Sequence, residues 1–163
     1  PKIFIHWFKT SYNYLKFFRD NKYHIEKLVG IDSSPDFISL STIFKEPAIK
    51  KYSRIFLKID IEGSEYRLLS DLLKYSNKIE GLAIEFHDVD LHIDKIEEFI
   101  SQFPLNLVHV HCNNYAPLSR TNIPFTVECS FSSEVVSKEL VAILPNSMDM
   151  PNNPNLEDYK LTF

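Results

Sequence analysis

The chain has 163 residues, a length that suits one domain. Hydrophobic residues make up 44% and aromatic residues 13%, enough for a substantial core, and the net charge is −4. No basic block or stripe is present, which argues against a nucleic-acid surface, and no apolar run approaches the roughly 20 residues needed to span a bilayer.

No signal-peptide pattern opens the chain. Cys112 and Cys129 fall in predicted strands, where a buried free thiol is the ordinary state, and a reducing cytoplasm is the expected compartment. Glycine is scarce: Gly30, Gly63 and Gly81 are all there is. A complete nucleotide-binding α/β domain uses several glycines in its first turn alone. With proline at position 1, the expectation is a fragment, a processed chain or a gene lacking its start.

In chain order, Lys2–Phe8 reads as a short strand and Tyr12–Arg19 as a helix with an aromatic face. Ile25–Ile31 reads as a strand closed by the turn Asp32-Ser-Ser-Pro35. A short helix is expected over Ser39–Phe44, stopping before Pro47. Arg54–Ile61 alternates as a buried strand does, Gly63 permits a sharp turn, and Glu65–Tyr75 carries helical spacing. Leu82–Phe86 is the next strand, Asp94–Phe103 a helix ended by Pro104, and Leu105–Cys112 another strand. After a long loop over 113–124, Phe125–Phe131 and Glu139–Leu144 read as two strands. The short stretch 132–138 joins them as an antiparallel end. Strands alternating with helices predict one α/β domain over 1–163 with a mainly parallel sheet.

Chemistry-bearing residues gather after the strands. Asp60, Glu62 and Glu65 lie at or just past a carboxyl end, where open α/β sheets bind ligands. Asp60 can act as a general base on a hydroxyl or help hold a cation, whereas Glu62 and Glu65 also suit a helix N-terminus. Glu85, His87 and Asp88 follow the next strand, and two adjacent strands would bring Glu85 near Asp60. His87 can ligate a metal, relay a proton or simply cap its loop. Asp90 and His92 suit the entry of a helix. His109 and His111 share one face of a strand, and Asn113-Asn114 is a good turn pair.

Four ordered segments carry a family resemblance: Lys58-Ile-Asp-Ile-Glu-Gly-Ser-Glu-Tyr-Arg-Leu-Leu69, Glu80–Asp88, Val108–Tyr115 and Leu144–Asn153. Over about residues 50–163 the chain resembles FkbM-type S-adenosylmethionine-dependent methyltransferases. The family's glycine-rich cofactor loop has no counterpart here, and Cys112 stands where glycine is common in relatives. The resemblance implies a Rossmann-like class I methyltransferase sheet with an antiparallel end, incomplete at the N-terminus. It implies transfer of a methyl group to a hydroxyl of a sugar or other small metabolite. Asp60, Glu85 and His87 would be catalytic, His111, Asn113 and Asn114 would contact the acceptor, and Asp60 and Glu62 would meet the cofactor. A divalent metal such as magnesium would have Asp60, Glu85 and His87 as candidate ligands.

In that class the first strand lies in the middle of the sheet, between the second and fourth. If residues 2–8 are the second strand, the centre is missing; a rearranged fold, a partner chain or residues 2–8 themselves would then fill it. The alternative function follows: a non-catalytic remnant that forms a homodimer through its open sheet and binds no cofactor. A metal-dependent hydrolase built on the same carboxylates and histidines is a third reading.

Overall fold

The computed structural model describes residues 2–18, 22–134 and 143–162. Helix α1 spans Lys2–Phe17, so the strand expected over 2–8 is helical and continuous with the helix expected from Tyr12. A short run of apolar and aromatic residues has no unique period, and here the helix extends through it. Arg19, the expected helix end, lies outside the described residues. Strands β1 (Leu28–Gly30) and β2 (Phe37–Ser39) form a small parallel pair. Ser39 then caps α2 (Leu40–Lys45), its hydroxyl accepting the N–H of Thr42 at 3.2 Å. Pro47 opens the short helix α3 (Pro47–Lys50).

Strand β3 (Ile55–Ile59) leads through a tight turn into a 3₁₀ segment (Glu65–Arg67) and then α4 (Leu69–Lys74). The single helix expected over 65–75 is therefore two pieces, because the first turn after Gly63 is too tight for α geometry. β4 (Ile79–Phe86) starts earlier than expected, and α5 (Val89–Gln102) starts five residues earlier. β5 (Asn106–Cys112) and β6 (Val127–Ser132) follow.

The main sheet has the order β3-β4-β6-β5. β3 and β4 are parallel, and β6 runs against both its neighbours, β4 and β5. Three strands thus share one direction, and the reversed strand is inserted between two of them. This corrects the expected hairpin of 125–131 with 139–144. Residues 139–142 lie outside the described set, and Ile143–Leu144 (β7) instead pairs with Leu161–Thr162 (β8). The chain is an α/β protein with a parallel pair and a mixed sheet, consistent with a Rossmann-like layout.

Strand register divides the main sheet into two unlike faces. Ile59, Leu82, Ile84, Phe86, Cys129 and Phe131 turn to the side where Leu72 of α4 and Ile96 and Phe99 of α5 complete the core. The rings of Phe99, Phe103 and Phe131 meet one another at centroid distances of 4.7–5.8 Å. Burying each such ring contributes about 1.5–3 kcal/mol. The other face carries Phe56, Lys58, Ala83, Glu85, Glu128, Ser130, His109 and His111, and part of the tail lies over it. The polar groups of the candidate site stand on or beside this second face.

Candidate functional site

Ile59 pairs with Ile84 at the carboxyl ends of β3 and β4, so Asp60 and Glu85 leave the sheet abreast on the polar face. Between them the backbone must reverse sharply. Glu62 sits at φ 54° and Gly63 at φ 93°, in the left-handed region that glycine tolerates and glutamate pays for in strain. Glu65 fixes this turn from inside: its Oε1 accepts the N–H groups of Ile61 at 3.0 Å and Gly63 at 3.3 Å. Glu65 is 0% exposed, and its second oxygen, Oε2, is buried without a hydrogen-bond partner.

His87 follows β4 and reaches into the same turn. Its Nδ1 lies 3.1 Å from Glu65 Oε1, and its Nε2 lies 3.5 Å from Glu62 Oε2 and 4.0 Å from Glu85 Oε1. The backbone is pinned as well, since the Tyr66 hydroxyl donates to the His87 carbonyl at 2.6 Å. Burial, together with the charges of Glu65 and Asp88, pushes the Tyr66 phenol well up, so this hydroxyl stays a donor. Asp88 takes a left-handed φ of 50° as the chain enters α5. His92 lies beside Tyr66 with ring centroids 4.1 Å apart, a packing role. Asp90 lies in the first turn of α5, where negative charge suits the helix dipole.

Asp60, Glu62, Glu85, His87, Asn113, Tyr115, Ala116 and Thr126 line a cavity of about 420 Å³. Asn113 donates to Glu85 Oε1 at 2.8 Å and so holds that carboxylate in place. Lys58 reaches Asp60 Oδ2 at 3.1 Å from the same face of β3. The structure therefore brings together Asp60, Glu62, Glu85, His87 and Asn113. Ligand atoms of Asp60, Glu62 and His87 fall within 4.8 Å of one another, close enough to share a cation.

His111 and Asn114 are placed differently from the expected acceptor contacts, and neither lines this cavity. His111 is buried at 7% exposure, with Nε2 2.8 Å from Asp158 Oδ2 and Nδ1 3.6 Å from Glu128 Oε2. Burial pulls its pKa down, but the two carboxylates outweigh that and the net shift is upward. Asn114 is 2% exposed; its amide donates to the carbonyls of Asn153, Leu156 and Glu157, and its Oδ1 accepts the N–H of Asn153 at 2.6 Å. His109 meets Asp149 at 3.1 Å. These residues bind the tail down. Of the pair 113–114, one side chain faces the cavity and the other is spent on the chain itself.

Sequence reasoning missed the part played by Glu65, whose position two residues after Gly63 is what lets it fold back onto the turn. It also missed Tyr115, which comes from a loop whose path no periodicity encodes, and Thr126, which lies just before β6 rather than inside the expected strand. A second cavity of about 290 Å³ lies by Gly30, Asp32, Phe37, Ser64 and Arg67.

No family model matches the chain, and no match is found among curated proteins or solved structures.

Proposed function

We propose that this chain binds a small hydroxylated acceptor and removes a proton from its hydroxyl, acting as an S-adenosylmethionine-dependent O-methyltransferase of the FkbM type. One observation carries the reading: Asp60, Glu85 and His87 stand together at the carboxyl ends of two adjacent parallel strands, around a cavity that Asn113 also lines. A hydroxyl is a weak nucleophile until a base takes its proton. Asp60 is the base in this reading, because it opens directly onto the cavity. Glu85, held by Asn113, and His87, held by Glu65, position the acceptor by hydrogen bonds. The reversed strand β6 supports the same reading, since sheets of this class carry an antiparallel strand near one end.

A Cβ at Gly30 would lie 3.1 Å from Phe37, and one at Gly81 would lie 2.6 Å from the Phe56 ring, so both glycines serve packing inside the chain. Gly63 serves the turn at the acceptor site.

Calorimetric titration with S-adenosylmethionine, with and without magnesium, tests the proposal. Micromolar binding, followed by methyl transfer that Asp60→Asn abolishes, is the expected result. No binding under either condition would overturn it. The alternative, a non-catalytic remnant that self-associates, draws support from β3, an edge strand of the main sheet whose Phe56 is 69% exposed. A dimer in sedimentation that Phe56→Lys dissolves, with no cofactor binding, would establish that reading instead.

A further inference from the structure

We infer that Asp60, Glu62 and His87 form a binding site for a divalent transition-metal cation, with Glu65 as the residue that orients the histidine. The inference deepens the proposed function but rests on its own geometry. Glu65 Oε1 accepts two backbone N–H groups and faces His87 Nδ1 at 3.1 Å. An acceptor at that position places a proton on Nδ1, and the neutral ring then offers its lone pair at Nε2. The lone pair turns toward Glu62 Oε2, 3.5 Å away, in the group that also includes Asp60.

Nε2 in this tautomer and the oxygens of Asp60, Glu62 and Glu85 are all acceptors. A cation shared among them would offset the mutual repulsion of these carboxylates. Among the described residues, Lys58 meets Asp60 by Oδ2, and Asn113 donates to Glu85. A cation bound at Nε2 would polarise the Nδ1–H toward Glu65. That gives the carboxyl of Glu65, one of whose oxygens is buried and without a hydrogen-bond partner, a positive neighbour. A carboxylate behind a metal-bound histidine is a recurring way to fix the ring and raise its basicity.

The donor set is one imidazole and two carboxylates. Magnesium prefers oxygen ligands throughout, whereas mixed nitrogen and oxygen ligands suit zinc, and manganese tolerates them. Three protein ligands leave coordination positions open toward the cavity. On the proposed function, those positions face the acceptor hydroxyl.

Zinc and manganese titrations of the 163-residue chain after chelator dialysis, by calorimetry and by the electron paramagnetic resonance of free Mn²⁺, test the site. One cation per chain is expected, zinc tighter than manganese and magnesium weakest. Glu62→Gln, at an exposed position, and His87→Ala should each weaken binding at least about tenfold, and Glu65→Gln roughly tenfold to a hundredfold with the circular dichroism spectrum unchanged. No saturable uptake at millimolar cation would overturn the inference. Binding that Glu62→Gln and His87→Ala leave intact would also overturn it. Neither assay contains S-adenosylmethionine: cation binding in a chain that transfers no methyl group would strike the proposed function alone, and methyl transfer without cation binding would strike this inference alone.

Discussion

His87 Nδ1 lies 3.1 Å from Glu65 Oε1, the same oxygen that accepts the N–H groups of Ile61 and Gly63. One buried oxygen thus couples the shape of the β3 turn to the orientation of the ring after β4. The turn carries the positive φ of Glu62 and Gly63, which costs free energy and persists only while something holds it.

Glu65→Ala is therefore expected to destabilise the fold by about 1–3 kcal/mol, the cost of leaving partly buried donors unmet. Glu65→Gln keeps an oxygen at the same place and should cost less. Urea denaturation followed by circular dichroism checks both. An alanine variant as stable as the parent would show that the turn holds itself.

Much of this arrangement was legible in the sequence. The alternation of β3, the break at Gly63 and the apolar core of β4 place Asp60 beside Glu85, because the carboxyl ends of adjacent parallel strands lie abreast. What was not legible was tertiary. Glu65 in a first helical turn looks like a dipole partner, and only the path of the turn buries it. His111 and Asn114 look like site residues because of their chemistry, yet their partners Asp158, Asn153, Leu156 and Glu157 are about forty residues further along the chain. Lys2–Phe8 failed for another reason: seven residues are too few to separate a period of 2 from one of 3.6, and the helix shows only when Lys2–Phe17 is taken together.

His111 makes the clasp on the tail pH-dependent. Asp158 and Glu128 face the ring, with His109 stacked 6.4 Å away, and the folded pKa stands above the ordinary value of 6.5. A raised pKa in the folded state means that the protonated form binds the tail better. That stability is fully present below the unfolded value and is lost as pH rises through the folded value. Denaturation midpoints should fall from acidic-neutral to alkaline pH in the parent chain, and the slope should shrink in Asp158→Asn. Equal slopes in the two chains would place the pH dependence elsewhere.

The two thiols should be nearly inert. Burial pushes Cys112 up to about 11 and Cys129 up to about 12, with nearby Asp158 adding to the first. Since the thiolate is the reactive form, an aromatic disulfide reagent should label neither thiol at neutral pH until denaturant is added. Rapid labelling of the native chain would mean that the β5–β6 region opens readily.

Asn113 and Asn114 give the sharpest separation of site from scaffold. They are adjacent, alike in chemistry and differ in what they touch. Asn114 is buried and serves the backbone of the tail, so Asn114→Ala strands the N–H of Asn153 and three carbonyls. A loss of about 1–3 kcal/mol in stability is expected, with the tail becoming sensitive to protease. Asn113 instead holds Glu85 from the cavity side, at 2.8 Å. Asn113 also accepts the N–H of exposed Tyr115 at 3.0 Å, and Asn113→Ala should cost less stability than Asn114→Ala, about 1–2 kcal/mol for two ordinary hydrogen bonds. It should weaken acceptor binding, because Glu85 is then free to turn away. Thermal denaturation of both variants, alongside acceptor titration, gives the comparison. If Asn113→Ala costs as much stability as Asn114→Ala and leaves acceptor affinity unchanged, the Asn113–Glu85 pair belongs to the scaffold, and the cavity would lose one of the contacts assigned to its acceptor.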